Sequence, residues 1–151
     1  MKSTTNATDI IKEFESLRLI PYLCPRGIPT IGFGSTYYED GVKVKLDDKP
    51  ISKDRAEELL INTVNTFDKQ VSSLISKNIT LNQNQFDAIV SFAFNIGIGN
   101  FTTSTLLKKI NKSDFTGASE EFKRWNKSGG VELAGLTRRR KTEKELFDKV
   151  V

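Results

Sequence analysis

Glu15, Cys24 and Thr30 place a carboxylic acid, a thiol and a hydroxyl nine and then six positions apart in the segment Glu15-Ser-Leu-Arg-Leu-Ile-Pro-Tyr-Leu-Cys24-Pro-Arg-Gly-Ile-Pro-Thr30-Ile-Gly-Phe-Gly34. Such groups donate protons, attack as nucleophiles or hold a water in place. The chain has no histidine and one cysteine. A zinc site of the usual nitrogen and sulfur ligands is therefore excluded, as is a Ser-His-Asp apparatus, and carboxylate chemistry remains. Cys24 can form no intramolecular disulfide, so any role must come from its thiol or its bulk.

The elements that must position these groups can be read from periodicity and punctuation. The spacing predicts a short helix from about Thr8 to Glu15, with Ile10, Ile11 and Phe14 on one face and Thr8 or Asp9 as cap. Glu15 then falls at its carboxyl end. Leu17 to Leu23, Thr30 to Gly34 and Val42 to Leu46 are short apolar runs separated by Pro-Arg-Gly and Glu-Asp-Gly turn signals, which predict a small antiparallel sheet. Such a sheet needs a partner to be stable. From Ser52 to about Ser76 the apolar positions Ala56, Leu59, Leu60, Val64, Phe67, Val71, Leu74 and Ile75 recur at helical spacing behind a Ser52 cap. Asn82-Gln-Asn-Gln85 has the form of a capping box. It opens a segment apolar nearly all round, expected to be a buried central helix ended by Gly97 and Gly99.

Shorter helices are expected near Ser104 to Ile110 and from Ser113, the latter carrying Phe115, Ala118, Phe122 and Trp125 on one stripe. Ser128-Gly-Gly130 reads as a loop. A last helix is expected from Thr137 through Glu143 to Phe147, supported by a Glu145 and Lys149 pair.

A length of 151 residues suits one compact domain, or two small lobes sharing a helix. The net charge of +4 favours anionic partners: nucleic acid, acidic lipid or the acidic polymers of a bacterial envelope. The stretch from Met1 to Ile11 lacks the apolar core of a signal peptide, and the run Ala88 to Phe94 is too short to span a membrane. A soluble cytoplasmic product without stable membrane insertion is expected.

The Glu15, Cys24, Thr30 spacing with Thr30-Ile-Gly-Phe-Gly34 resembles the Glu, Asp or Cys, Thr triad of the phage-type lysozymes, the endolysin muramidases of glycoside hydrolase family 24. The likeness extends through Leu81-Asn-Gln-Asn-Gln-Phe-Asp-Ala-Ile-Val-Ser-Phe-Ala-Phe-Asn95-Ile-Gly and Gly99-Asn-Phe-Thr-Thr-Ser104-Thr-Leu-Leu. It continues to Arg124-Trp125, Gly129-Gly130 and Gly135-Leu136-Thr-Arg-Arg-Arg140 with Glu143 and Leu146. Almost the whole chain is covered, in order. The resemblance implies an α+β, lysozyme-like fold over residues 1–151: a small antiparallel sheet lobe, about 15–50, joined by a long helix to a larger helical lobe, about 52–151 plus the N-terminal helix.

It also implies hydrolysis of the β-1,4 bond between N-acetylmuramic acid and N-acetylglucosamine in bacterial peptidoglycan, with no cofactor and no metal, by a monomer. The setting would be host cell lysis, after release from the host cytoplasm through a holin-type pore. In this scheme Glu15, partly desolvated at the end of an apolar helix, is the general acid that protonates the leaving oxygen. Glu13 would point away. Cys24 stands where better-known members carry Asp; as a neutral thiol it exerts a weaker field unless Arg26 lowers its pKa, and packing is its competing role. Thr30 resembles the hydroxyl that holds the attacking water, which implies inversion, whereas direct attack by a Cys24 thiolate would retain configuration.

Gly34, Thr36, Phe94 and Ser104 are expected to lie near the bound glycan, and Trp125 to be buried with its stripe rather than stacked on a sugar. Ser35 replaces a His common in the family, which puts an ion pair of the sheet lobe in doubt. Arg138-Arg139-Arg140-Lys141 invites a nucleic-acid reading. With no nucleic-acid fold around it, the run is expected instead to pair on the helix surface with acids such as Glu143. Two alternatives remain at this level: a non-catalytic cationic peptidoglycan-binding or antimicrobial protein, and a lytic transglycosylase.

Overall fold

The computed structural model describes residues 1–150; Val151, the end of the expected helical lobe, lies outside the described residues. Helix α1 spans Thr5–Phe14 and buries Ala7, Ile10 and Ile11. It starts before the expected Thr8 because Thr4, not Thr8 or Asp9, is the cap. Thr4 is fixed from outside: its N–H and hydroxyl both donate to Asp87, so the start of α1 is decided by a residue far along the chain. The helix stops at Glu15, whose backbone turns extended while its N–H still donates to the Ile11 carbonyl at 2.8 Å.

Strands β1 (Arg18–Leu23) and β2 (Pro29–Gly32) pair antiparallel, with Tyr22 opposite Thr30 and an irregularity between Arg18 and Tyr22. The expected third strand at Val42 to Leu46 does not form; only an isolated bridge joins Tyr37 and Lys43. The Val44 N–H still reaches the Thr36 carbonyl at 2.9 Å, but two other donors of the segment are taken locally. The Val42 N–H goes to the Asp40 carboxylate and the Lys45 N–H to Asp48, so side chains compete with a ladder.

Helix α2 (Lys53–Leu74) is capped by Ser52, as its sequence predicts, and lays Ala56, Leu59, Leu60, Val64 and Val71 against the core. Strand β2 comes close to it at Gly32. A side chain there would begin 3.3 Å from the Ala56 Cβ, at a φ of +70° that favours glycine. Helix α3 (Gln83–Ile96) has both halves of the Asn82–Gln85 capping box and is buried over most of its length. Gly97 ends it at φ +90°, but Gly99 does not; it lies within the short helix α4 (Ile98–Thr102).

Helices α5 (Thr105–Asn111) and α6 (Phe115–Glu121) follow, capped by Ser104 and Asp114. Ser113, the expected start of the second, sits at φ +61° outside it. A 3₁₀ turn at Phe122–Arg124 leads to a hairpin of β3 (Lys127–Ser128) and β4 (Val131–Glu132) with Gly129 and Gly130 at its tip. Helix α7 (Ala134–Asp148) begins earlier than the expected Thr137. Because it ends at Asp148, Lys149 is extended and makes no ion pair with Glu145; Lys144 pairs with Asp148 instead.

Phe92 of α3 is the aromatic centre of the helical part, in edge contact with Phe101, Phe122 and Trp125 at centroid distances of 6.3, 5.2 and 5.8 Å. On the sheet side, the Tyr38 hydroxyl donates to Asp48 at 2.8 Å and the Arg55 guanidinium lies 5.1 Å from its ring centre. Burial and the Asp48 carboxylate push the phenol up to about 12. An unfolded Tyr ionises near ~10, so the folded state holds this proton longer and its contribution to stability is lost as pH rises from about 10 to about 12. Thermal unfolding should show Tyr38→Phe losing less stability than the wild type between about pH 9 and pH 12. Parallel losses in the two proteins would contradict this.

Candidate active site

A cleft of about 560 Å³ lies between the β1–β2 hairpin on one side and α3, α4 and the β3–β4 hairpin on the other. Glu15, Cys24, Thr30, Gly34, Thr36 and Phe94 all line it. Ser104 does not. Its hydroxyl, 3% exposed, accepts the Leu107 N–H and donates to the Phe101 carbonyl, so it is spent on capping α5 and is turned away from the cleft. The cap requirement, local and strong, has claimed a residue that the family likeness assigned to the glycan.

Glu15 is placed by the end of α1. Its side chain is 26% exposed, and Oε1 accepts from Arg139 Nη1 at 3.2 Å. The apolar setting expected for this carboxyl is therefore not all that surrounds it: one oxygen faces a guanidinium, while Oε2 lies beside Gly34 at the cleft wall. Gly34 has φ +89°, and a Cβ on it would lie 3.7 Å from Oε2 and 3.9 Å from Phe94. A bare backbone there keeps the approach to the carboxyl open.

Cys24 and Thr30 are joined by the turn between β1 and β2. The Ile28 carbonyl accepts from the Cys24 N–H at 3.0 Å and from the Thr30 hydroxyl at 2.8 Å. Burial pushes the Cys24 thiol up, but backbone donors at Ile28 and Arg26, the Thr30 hydroxyl and the Arg26 charge outweigh it and leave the thiol below its ordinary value. Thr30 is buried, and its one hydrogen, placed on the Ile28 carbonyl here, is the same hydrogen that can turn to an ionised Cys24; in either setting its lone pairs remain free to accept.

Besides Arg26, named from the sequence only for its effect on Cys24, the cleft has residues that the sequence reading did not select. Tyr22 faces Thr30 across the hairpin, its phenol pushed up by burial and by the charge of Glu15. Asn95, Lys127 and Arg26 also line the cleft, and neither cation has an ion-pair partner among the described residues. Trp125 packs edge-on to Phe92, as expected from its stripe, and is half-buried with one side lining the cleft. Ser35 is buried and holds Ile31 by two backbone hydrogen bonds of 2.9 Å, so the backbone at this position is paired without a His.

The basic run is corrected by the structure. Arg139 and Arg140 are 2% and 1% exposed, and only Arg138 and Lys141 reach solvent. Helical periodicity puts positions 139, 140, 143 and 147 on the face of α7 that packs on α3. Glu143, fully buried, accepts from Arg139 Nε at 3.2 Å, Arg140 Nη1 at 2.7 Å and Ser91 Oγ at 2.6 Å. Arg139 Nη2 also donates to the Ser91 carbonyl, and Arg140 Nη2 donates to Asn95. Burial pushes Glu143 upward against the pull of both guanidiniums and Ser91, and draws Arg140 down to about 10. The signal was present as Arg139 and Glu143 at i, i+4 in line with Phe147, but charges in a helix are ordinarily solvated.

This arrangement of a sheet hairpin, a long connecting helix and a helical bundle around one cleft is lysozyme-like, of the α+β class. The phage lysozyme family profile matches residues 12–143. The chain is 42% identical to the endolysin of Acyrthosiphon pisum secondary endosymbiont phage 1 over 145 residues, 92% of each protein. It is 35% identical to the SAR-endolysin of Enterobacteria phage P21 over 132 residues, 87% of this chain and 76% of that one. Among solved structures, the endolysin from Escherichia coli O157:H7 phage FAHEc1 superposes with a TM-score of 0.85 at 35% identity, covering 100% of this chain and 96% of its own. The chain belongs to the phage lysozyme family. It is accordingly a lysozyme, a muramidase-type glycoside hydrolase.

Proposed function

We propose that the chain is an endolysin that hydrolyses the β-1,4 bond between N-acetylmuramic acid and N-acetylglucosamine, with Glu15 as general acid and Thr30 holding the water that attacks the anomeric carbon. One observation supports this reading above the others: a carboxyl, a thiol and a buried hydroxyl line the same cleft. Glu15 Oε2, turned away from Arg139, carries the proton to the leaving oxygen. Thr30, its hydrogen on the Ile28 carbonyl, accepts a hydrogen from the water and orients its lone pair. Attack from the face opposite the acid inverts the anomeric centre. Cys24, its thiol drawn below its ordinary value, supplies negative charge near the cationic centre to the extent that it ionises, without bonding to it.

Arg26 and Lys127, unpaired at the cleft, suit a substrate with carboxylates on its peptide stems. We take residues 1–151 to act as one domain, a monomer without a nucleic-acid partner. Export through a holin-type pore follows from the family likeness; the SAR-endolysin relative points to a secretion-type alternative. Among the described residues no helix is long and apolar enough to cross a membrane. Lysis on expression with and without a holin distinguishes the two routes.

The deciding experiment is product analysis of digested peptidoglycan. Reducing ends formed with inverted configuration, and a Cys24→Ala variant that still cleaves at a reduced rate, are the expected results. Retained configuration with an inert Cys24→Ala would assign Cys24 as nucleophile. Anhydro sugars would make the enzyme a transglycosylase, and binding without cleavage a carbohydrate-binding protein.

A further inference from the structure

An arginine against a general acid works against it, because an opposite charge at this distance favours the ionised carboxylate, which has no proton to give. Arg139 stands 3.2 Å from Glu15 and is 2% exposed, so its field is little screened by water. Its guanidinium, however, is divided. Nη1 meets Glu15, Nε meets Glu143 and Nη2 meets the Ser91 carbonyl. We propose that Glu143 is a positioning residue for the proton donor: by holding the far side of Arg139 it limits how much of that charge Glu15 feels, and keeps Glu15 able to carry a proton where the enzyme works. The inference rests on the reading of Glu15 as the acid.

The charges around the pair make the case. Glu15 faces Arg139 from α7, Tyr22 from β1, and the uncharged backbone of Gly34. Glu143 faces Arg139 and Arg140 on its own helix and Ser91 from α3. Arg140 in turn reaches Asn95 and lies over the Phe92 ring, both on α3. Two acids and two arginines thus balance when both acids are ionised, and protonating Glu15 leaves one positive charge over. With Glu143 neutral, the same protonation would leave two around a guanidinium that is itself buried, and Glu15 would give up its proton at lower pH. The role requires the ionised form of Glu143, which burial opposes and which the three donors converging on its carboxyl, from Arg139, Arg140 and Ser91, favour.

The test compares wild type, Glu143→Gln and Glu143→Asp, with near-ultraviolet circular dichroism to establish folding. It reads two quantities: the pH profile of kcat on peptidoglycan and the ¹³C-carboxyl NMR titration of Glu15. In Glu143→Gln the alkaline limb and the Glu15 titration should both move down, by about one to two pH units, the order expected for removing a unit negative charge on the far side of the same guanidinium at an effective dielectric of ~20. Glu143→Asp should return both toward the wild-type position. A folded Glu143→Gln with an unmoved Glu15 titration overturns the proposal. Should burial of two arginines without their acid prevent Glu143→Gln from folding, the wild-type titration decides. Glu143 must then stay ionised across the range in which Glu15 titrates, and a neutral Glu143 there overturns the role. Because the titration needs no turnover, a shifted Glu15 in a protein that cleaves nothing would sink the assigned activity and leave this coupling standing.

Discussion

Glu15→Gln is expected to leave a folded protein whose clearing of peptidoglycan suspensions falls by about 10²- to 10⁴-fold, the usual worth of a positioned general acid. The amide keeps the size of the carboxyl and can still face Arg139, so Cys24 and Thr30 should be undisturbed on their own turn. Loss of the proton is then the main change. Two measurements make the result decisive: the clearing rate against wild type, and the thermal unfolding midpoint. Stability should change little, because the ion pair removed is partly solvated at its Glu15 end. A variant that clears as fast as the wild type would remove Glu15 from the mechanism. Slow clearing with a collapsed melting temperature would instead assign the carboxyl to the fold.

The largest effect on stability should come from Phe92→Ala. Phe92 is fully buried, meets three other aromatic rings edge-on, and carries the Arg140 guanidinium 5.0 Å from its centre. Truncation leaves a cavity walled by Phe101 of α4 and by Phe122 and Trp125 at the 3₁₀ turn, two separately anchored segments that cannot both close inward. A loss of about 3–5 kcal/mol is expected. For a chain of this size that is roughly 10 °C or more in the unfolding midpoint, measurable by calorimetry. A loss below about 1 kcal/mol would mean that the helical part repacks freely around the gap. Trp125 connects this core to the cleft, so its fluorescence should report the same change at the site.

The two predictions draw on information of different range. Ser52 caps α2 and the Asn82–Gln85 box opens α3 where the sequence placed them, because a cap is a bond between residues three positions apart and needs no tertiary partner. Likewise the spacing of Glu15, Cys24 and Thr30 was legible because one helix end and one hairpin hold all three in a short stretch of chain. Where a distant residue set the outcome, local pattern pointed elsewhere. Asp87 moved the start of α1 to Thr4, and Arg139 of α7 reached Glu15 at the end of that helix.

The charged residues show the same division most clearly. By itself the sequence determined the family, the principal helices and the first hairpin, and the three reactive groups, since each is written in periodicity, caps or fixed spacing. Only the tertiary structure decided what Arg139 and Glu143 are for. Burial against α3 brings Arg139 to Glu15 across 124 positions and makes an apparent surface run into the electrostatic support of the cleft. A charge pattern states which ions are present, and whether they meet water or one another depends on packing between elements far apart in the chain.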